Sequence, residues 1–140
     1  TGSKSSRGGH KFVKKYNKGL WLVMHSVTEA FRKRYNSNHE YAGHPIPLAM
    51  SDVESGNVYG NRTDDFYTIH RMTQHESRWI YTELHCKKIK DHDLGCKPTP
   101  FDSPLILESI KNNVGYKLGD KDIHRPNIIE QLSLPFWKHK

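Results

Sequence analysis

Residues 66–86 read FYTIHRMTQHESRWIYTELHC, and the fold class turns on this stretch. Two runs rich in aromatic and β-branched side chains, 66–72 and 78–86, flank the five residues Thr73-Gln74-His75-Glu76-Ser77. Such runs favour extended backbone, and a short polar connection between them predicts an antiparallel hairpin. Side chains alternate across a strand, so Ile80, Leu84 and Cys86 share one face and Trp79, Tyr81, Glu83 and His85 the other. The first set is the expected core. The second, flanked by Arg78, Lys87 and Lys88, is expected to form an aromatic and cationic surface. Rings can stack on bases there while cations neutralise phosphates. The competing reading covers that face with a helix and puts Trp79 in the core.

Toward the N-terminus, Leu20, Val23, Met24, Val27, Ala30, Phe31 and Tyr35 recur at helical spacing and predict a helix over 19–35. Asn17 is its expected N-cap, and Arg32, Lys33 and Arg34 fall in its last turn, where cations complement the helix dipole. Phosphate contact is the other use for that triplet. Residues 37–65 carry Gly43, Pro45, Pro47, Gly56 and Gly60 and read as loop, with a short strand at 46–50. Toward the C-terminus, Ser103 as N-cap and Pro104 at the first helical position predict a short helix to about residue 113. Pro126 opens a last short helix, stopped by Pro135, after which Phe136 and Trp137 dock the tail. The expected fold is therefore α+β: one long N-terminal amphipathic helix, a central antiparallel β-hairpin or small sheet, and two short C-terminal helices. Residues 1–10 read as a flexible basic lead-in and 11–140 as a single globular domain. With Thr1 in place of an initiator Met, the chain reads as excised from a larger protein.

Composition narrows the function. The chain has 140 residues, 34% of them hydrophobic and 26% charged, and no run approaches the roughly 18–20 apolar residues of a membrane helix. Two cysteines are too few for a disulfide scaffold or a four-thiolate zinc site. Twenty-two Lys and Arg against 15 Asp and Glu leave a net charge of +7. Residues 1–36 hold nine of those 22 cations and a single acid, Glu29. Clustered positive charge is the electrostatic footprint of a nucleic-acid binder.

Two chemistries compete for the histidines. Cys86, His92 and Cys96 have a spacing that suits one side of a zinc site, although it matches no familiar zinc pairing. A Cys86–Cys96 disulfide is the rival if the chain is secreted, and Asn61-Arg62-Thr63 is then a glycosylation acceptor. Asp64, Asp65, Glu83, His85 and Lys87 contain the residue types of a metal-dependent nuclease. No Gly-rich phosphate loop, His-Glu-x-x-His or Gly-x-Ser-x-Gly occurs.

The sequence thus points to a nuclear nucleic-acid-binding domain, with DNA favoured over RNA and no membrane partner. Its phosphate contacts are expected from Lys11, Lys14, Lys15, Lys18, Arg32, Lys33, Arg34, Lys87 and Lys88, with Arg78, Trp79 and Tyr81 beside the bases. A module binding an acidic protein partner is the alternative, and a metal-dependent nuclease the next. No cofactor is required, and zinc is the one the residues would accept.

Overall fold

The computed structural model describes residues 2–54, 56–91, 97–110 and 115–123, of which 2–7, 56, 57 and 121 are described by backbone alone. Its centre is a five-stranded antiparallel meander: β1 (Asp65–His70), β2 (Tyr81–Ile89), β3 (Leu105–Ser109), β4 (Tyr116–Leu118) and β5 (Lys121–Asp122), each beside the next. The expected hairpin is present as β1 and β2, but its connection is the ten residues 71–80 rather than the five of 73–77, so Trp79 and Ile80, expected on the second strand, lie in the turns before it. Its register sets Thr68 opposite His85 and His70 opposite Glu83, and β3 continues the second row with Ile106.

The helices differ from expectation in place and number. Helix α1 is Gly2–Tyr16 and α2 is Gly56–Arg62, while Thr28–Arg32 and Met50–Asp52 are single 3₁₀ turns. Residues 19–27 are not helical. The helical spacing there is one subset of an unbroken apolar run, Leu20 to Met24, and such a run does not distinguish helix from extended chain. Tertiary pairing decides it: Ser26 bridges Val53, and the Val27 amide donates to the Asp52 carbonyl at 2.8 Å. Of the predicted apolar stripe only Ala30 is buried. Asn17 ends α1 rather than starting a helix. Its φ of 51° is the left-handed conformation that Asn tolerates at a helix C-terminus. The chain turns back there so closely that a Cβ at Gly9 would lie 2.9 Å from the Leu20 Cδ2.

The predicted helix from Ser103 is also overturned. Its centre is strand β3, because Ile106 and Leu107 pair with Glu83 and Thr82. The apolar run Leu105 to Leu107 beside an open edge of β2 satisfies more backbone than a helix capped only by Ser and Pro. The helix expected from Pro126 lies outside the described residues. Within 37–65, the expected strand at 46–50 is absent and α2 stands where loop was expected.

The connections between elements position the site. Residues 33–35 pair with 44–46: Arg34 bridges Pro45, Tyr35 N–H donates to the His44 carbonyl at 3.0 Å, and Ile46 N–H to the Lys33 carbonyl at 3.3 Å. Gly43, at φ +80°, closes the tight loop between them. Thr68 Oγ1 then donates to the Leu48 carbonyl at 2.9 Å, tying this flap to the sheet. Farther on, Thr99 clasps β2 twice, its Oγ1 accepting the Cys86 amide and its own amide donating to the Cys86 carbonyl, both at 3.0 Å. The clasp brings Phe101 beside the His85 ring, 6.5 Å between centroids.

Candidate active site

The sheet face expected to meet solvent is buried at Glu83 and His85, and the face expected to be core is buried at Thr82 and Cys86. Glu83 and His85 are 5% and 1% exposed, whereas Ile69 on the opposite face is 72% exposed. A carboxylate leaves water only at a cost of several kcal/mol unless it is paired and hydrogen-bonded. Glu83 meets both conditions. Its Oε2 lies 3.0 Å from His85 Nε2, and its Oε1 accepts from Arg78 Nη2 at 3.3 Å.

The strand pleat explains this pairing. Glu83 and His85 are two residues apart on β2, so both project from one face, and His70 is opposite Glu83 on β1. The His70 and His85 rings stand 6.3 Å apart, and the Pro45 carbonyl accepts a hydrogen bond from the His70 ring. Nε2 of His70 and Nδ1 of His85 are buried without a hydrogen-bond partner. Arg78 comes from the loop before β2 and is gripped by rings, its guanidinium 4.7 Å from the Tyr81 centroid and 5.4 Å from that of Tyr41. One of its own donors, Nε, is buried and unpartnered.

Of these groups Glu83 and Arg78 line a cavity of about 400 Å³. Glu83 and Arg78 reach it from the sheet side, Tyr35, His39, Glu40 and Tyr41 from the flap, and Phe101, Asp102, Ser103, Pro104 and Ile106 from the segment leading into β3. The Tyr35 and His39 rings are stacked at 4.2 Å, and His39 Nδ1 accepts the Tyr41 amide at 3.0 Å. That bond fixes the tautomer, leaving the ring proton on Nε2. His75 organises the 73–78 loop similarly, its Nδ1 accepting the amides of Ser77 and Arg78 at 3.2 and 3.1 Å.

Electrostatics sharpen the roles. Burial pushes the Glu83 carboxyl upward, but hydrogen bonds from His85 and Arg78 and the nearby imidazoles outweigh it, so the group lies below the usual glutamate value and is ionised at neutral pH. Burial pushes His70 down, against the pull of Glu83, and its imidazole is neutral at that pH. Burial, reinforced by the charges of Glu83 and Asp102, pushes the Tyr35 phenol up to about 12, and Tyr41 moves the same way. The cavity thus presents the ionised Glu83 carboxylate together with the acidic side chains of Glu40 and Asp102, one guanidinium and phenols that keep their protons. Such a set can transfer protons and stabilise an oxyanion.

The expected nucleic-acid residues divide into two groups. Lys11, Lys14 and Lys15 stand exposed on α1, with Lys18 and Arg32 exposed beyond it. The rest are engaged within the fold. Lys33 Nζ donates to Asp52 Oδ1 at 2.6 Å, Arg34 to the Phe31 carbonyl, and Lys88 Nζ to the Gly60 carbonyl at 2.7 Å near the end of α2. Lys87 Nζ sits 5.4 Å from the Phe101 ring, and its partial burial pushes the ammonium below its usual value. Trp79 is half exposed, and its carbonyl accepts from Arg71 Nη2 at 3.2 Å.

The nuclease set is not assembled as expected. Asp64 pairs with Lys90 Nζ at 3.2 Å and Asp65 Oδ1 accepts the Lys90 amide at 3.4 Å, at the end of the hairpin away from Glu83. Five residues of strand, roughly 17 Å, separate Asp65 from the His70–Glu83 row. Of the metal candidates, Cys86 is buried on β2, while His92 and Cys96 lie outside the described residues. Among the described residues no three His, Cys, Asp or Glu groups are placed to hold a metal ion, and no helix is long and apolar enough to cross a membrane. Sequence reasoning missed His39, Tyr35, Tyr41 and Phe101 as cavity residues. A run of His and Tyr inside a turn-rich stretch was the signal there to be read. Comparison with protein-family models, with curated proteins and with solved structures returns no match.

Proposed function

We propose that the chain binds single-stranded nucleic acid, one unpaired base entering the cavity beside Arg78 while phosphates meet the exposed cations of α1 and Arg32. The observation that carries this reading is the cavity itself. It has about 400 Å³, within the range of small-ligand sites, and its wall combines the rings of Tyr35, His39, Tyr41 and Phe101 with the guanidinium of Arg78. Aromatic faces take any base by stacking, and a guanidinium donates to phosphate oxygens or to acceptors on a base edge. A base held inside a duplex cannot enter such a pocket without being flipped out, which favours single strands over duplex. The net charge of +7 supplies the attraction that does not depend on sequence.

Fluorescence anisotropy with single-stranded RNA, single-stranded DNA and duplex DNA at three salt concentrations tests the reading. Single strands are expected to bind submicromolar and duplex at least tenfold more weakly. Replacing Lys11, Lys14 and Lys15 together by Ala is expected to flatten the logarithmic salt slope by about 2, since each phosphate no longer neutralised on a single strand removes about 0.7. Phe101→Ala is expected to weaken binding with the slope unchanged. Equal, weak binding to all three, gone near physiological salt, would transfer the charge to an acidic protein partner.

A further inference from the structure

Taking the nucleic-acid reading as its basis, we propose that the cavity cleaves RNA by making the 2′-hydroxyl attack the adjacent phosphate, with Glu83 as the proton-transferring group and Arg78 and His39 holding the phosphate oxygens. Three observations lead there. Glu83 is a carboxylate buried on a sheet face where an apolar side chain would pack at no electrostatic cost, yet it lines the cavity. Its Oε1 accepts from Arg78 and its Oε2 is bonded to His85, and a carboxylate oxygen has a second lone pair with which to take a proton. Arg78 lines the same cavity with its guanidinium held beside the rings of Tyr41 and Tyr81 and its side chain partly exposed, so its outer N–H groups can donate to a phosphate oxygen. His39 lines the same cavity with its Nδ1 occupied by the Tyr41 amide, which makes Nε2–H a donor.

The step balances without a co-reactant. Glu83 takes the proton from the 2′-oxygen as that oxygen bonds to phosphorus. The bond from phosphorus to the 5′-oxygen breaks, its electron pair leaves on that oxygen, and Glu83 returns the proton there. Negative charge growing on the non-bridging oxygens meets Arg78 and the Nε2–H of His39. The products are a 2′,3′-cyclic phosphate on one fragment and a 5′-hydroxyl on the other. His85 does not line the cavity and acts as a positioning residue, holding the Glu83 carboxylate at 3.0 Å.

The test uses the whole chain and a labelled DNA strand carrying one ribonucleotide, beside the all-deoxy strand, with products weighed by mass spectrometry. Cleavage only after the ribonucleotide, with cyclic phosphate and 5′-hydroxyl ends, is expected. Glu83→Gln should slow it 10²-fold or more, the range of general acid–base catalysis. Should that variant fail to fold, His39→Asn serves, because its amide oxygen still accepts the Tyr41 amide while the donor is removed; a tenfold or greater fall in rate is expected. Binding of both strands without cleavage would overturn this inference and leave the binding reading standing. Cleavage of the all-deoxy strand, products ending in 5′-phosphate, or a rate untouched by either variant would overturn it too. Loss of binding altogether would remove the reading beneath it.

Discussion

Asp52 shows how one side chain holds two segments. It is 7% exposed, its Oδ1 takes Lys33 Nζ at 2.6 Å and its Oδ2 takes the Ala49 amide at 2.8 Å. Burial would raise its pKa, but the Lys33 hydrogen bond and the Ala49 amide outweigh that and hold the carboxyl below its ordinary value. Asp52→Ala is therefore expected to destabilise the fold by about 2 kcal/mol, the loss of hydrogen bonds to a charged group. Asp52→Asn should cost roughly half as much, since an amide oxygen can still accept from Ala49. Denaturant unfolding of the two variants checks the order. No local pattern in the sequence marks Asp52, because its partners are 19 and three residues away.

At the scale of the element, β2 carries the site and is braced along its length. β1 pairs with 83–89, β3 pairs with 81–84, and Thr99 clasps Cys86. The clasp also holds the segment that leads Phe101 and Asp102 into the cavity wall. Thr99→Val removes the acceptor for a part-buried amide and is expected to cost about 1–3 kcal/mol, whereas Thr99→Ser should be within 0.5 kcal/mol or so of the parent. Thermal melts of both would decide between a hydrogen-bonding role and simple packing. The hairpin was legible because strand propensity and alternation are local properties of residues 66–86. The strand β3 was not, since Ser103-Pro104 is a valid helix start in isolation and only an unpaired edge of β2 overrides it.

For the whole molecule, the buried polar row makes stability depend on pH in one direction. His70 has its pKa lowered from 6.5 and Glu83 from 4.5. A group whose folded pKa is depressed binds protons more readily in the unfolded chain, so its contribution is complete above the unfolded value and is lost as pH falls through the folded one. Both groups have that sign. The melting temperature is expected to fall as pH drops from 7 through 6.5 and to fall again below 4.5. His70→Gln should flatten the first leg and leave the second; a melting temperature constant from pH 7 to pH 5 in the parent would contradict the assignment.

From the sequence by itself came the basic charge, the antiparallel hairpin and the grouping of Glu83 with His85 on one face, because charge is additive and strand alternation is a local rule. Tertiary structure alone decided that the Glu83 and His85 face is covered. That outcome depends on Arg78 and His85 being present to pair Glu83, and on a flap from 33–46 to roof the row. The flap's Tyr35, His39 and Tyr41 are over 40 residues from Glu83 in the chain, and their meeting in one cavity follows from backbone pairing between 33–35 and 44–46 and from Thr68 holding Leu48. Pairing between distant segments is not encoded in any local pattern, because the energy that selects it exists only once both partners are in place.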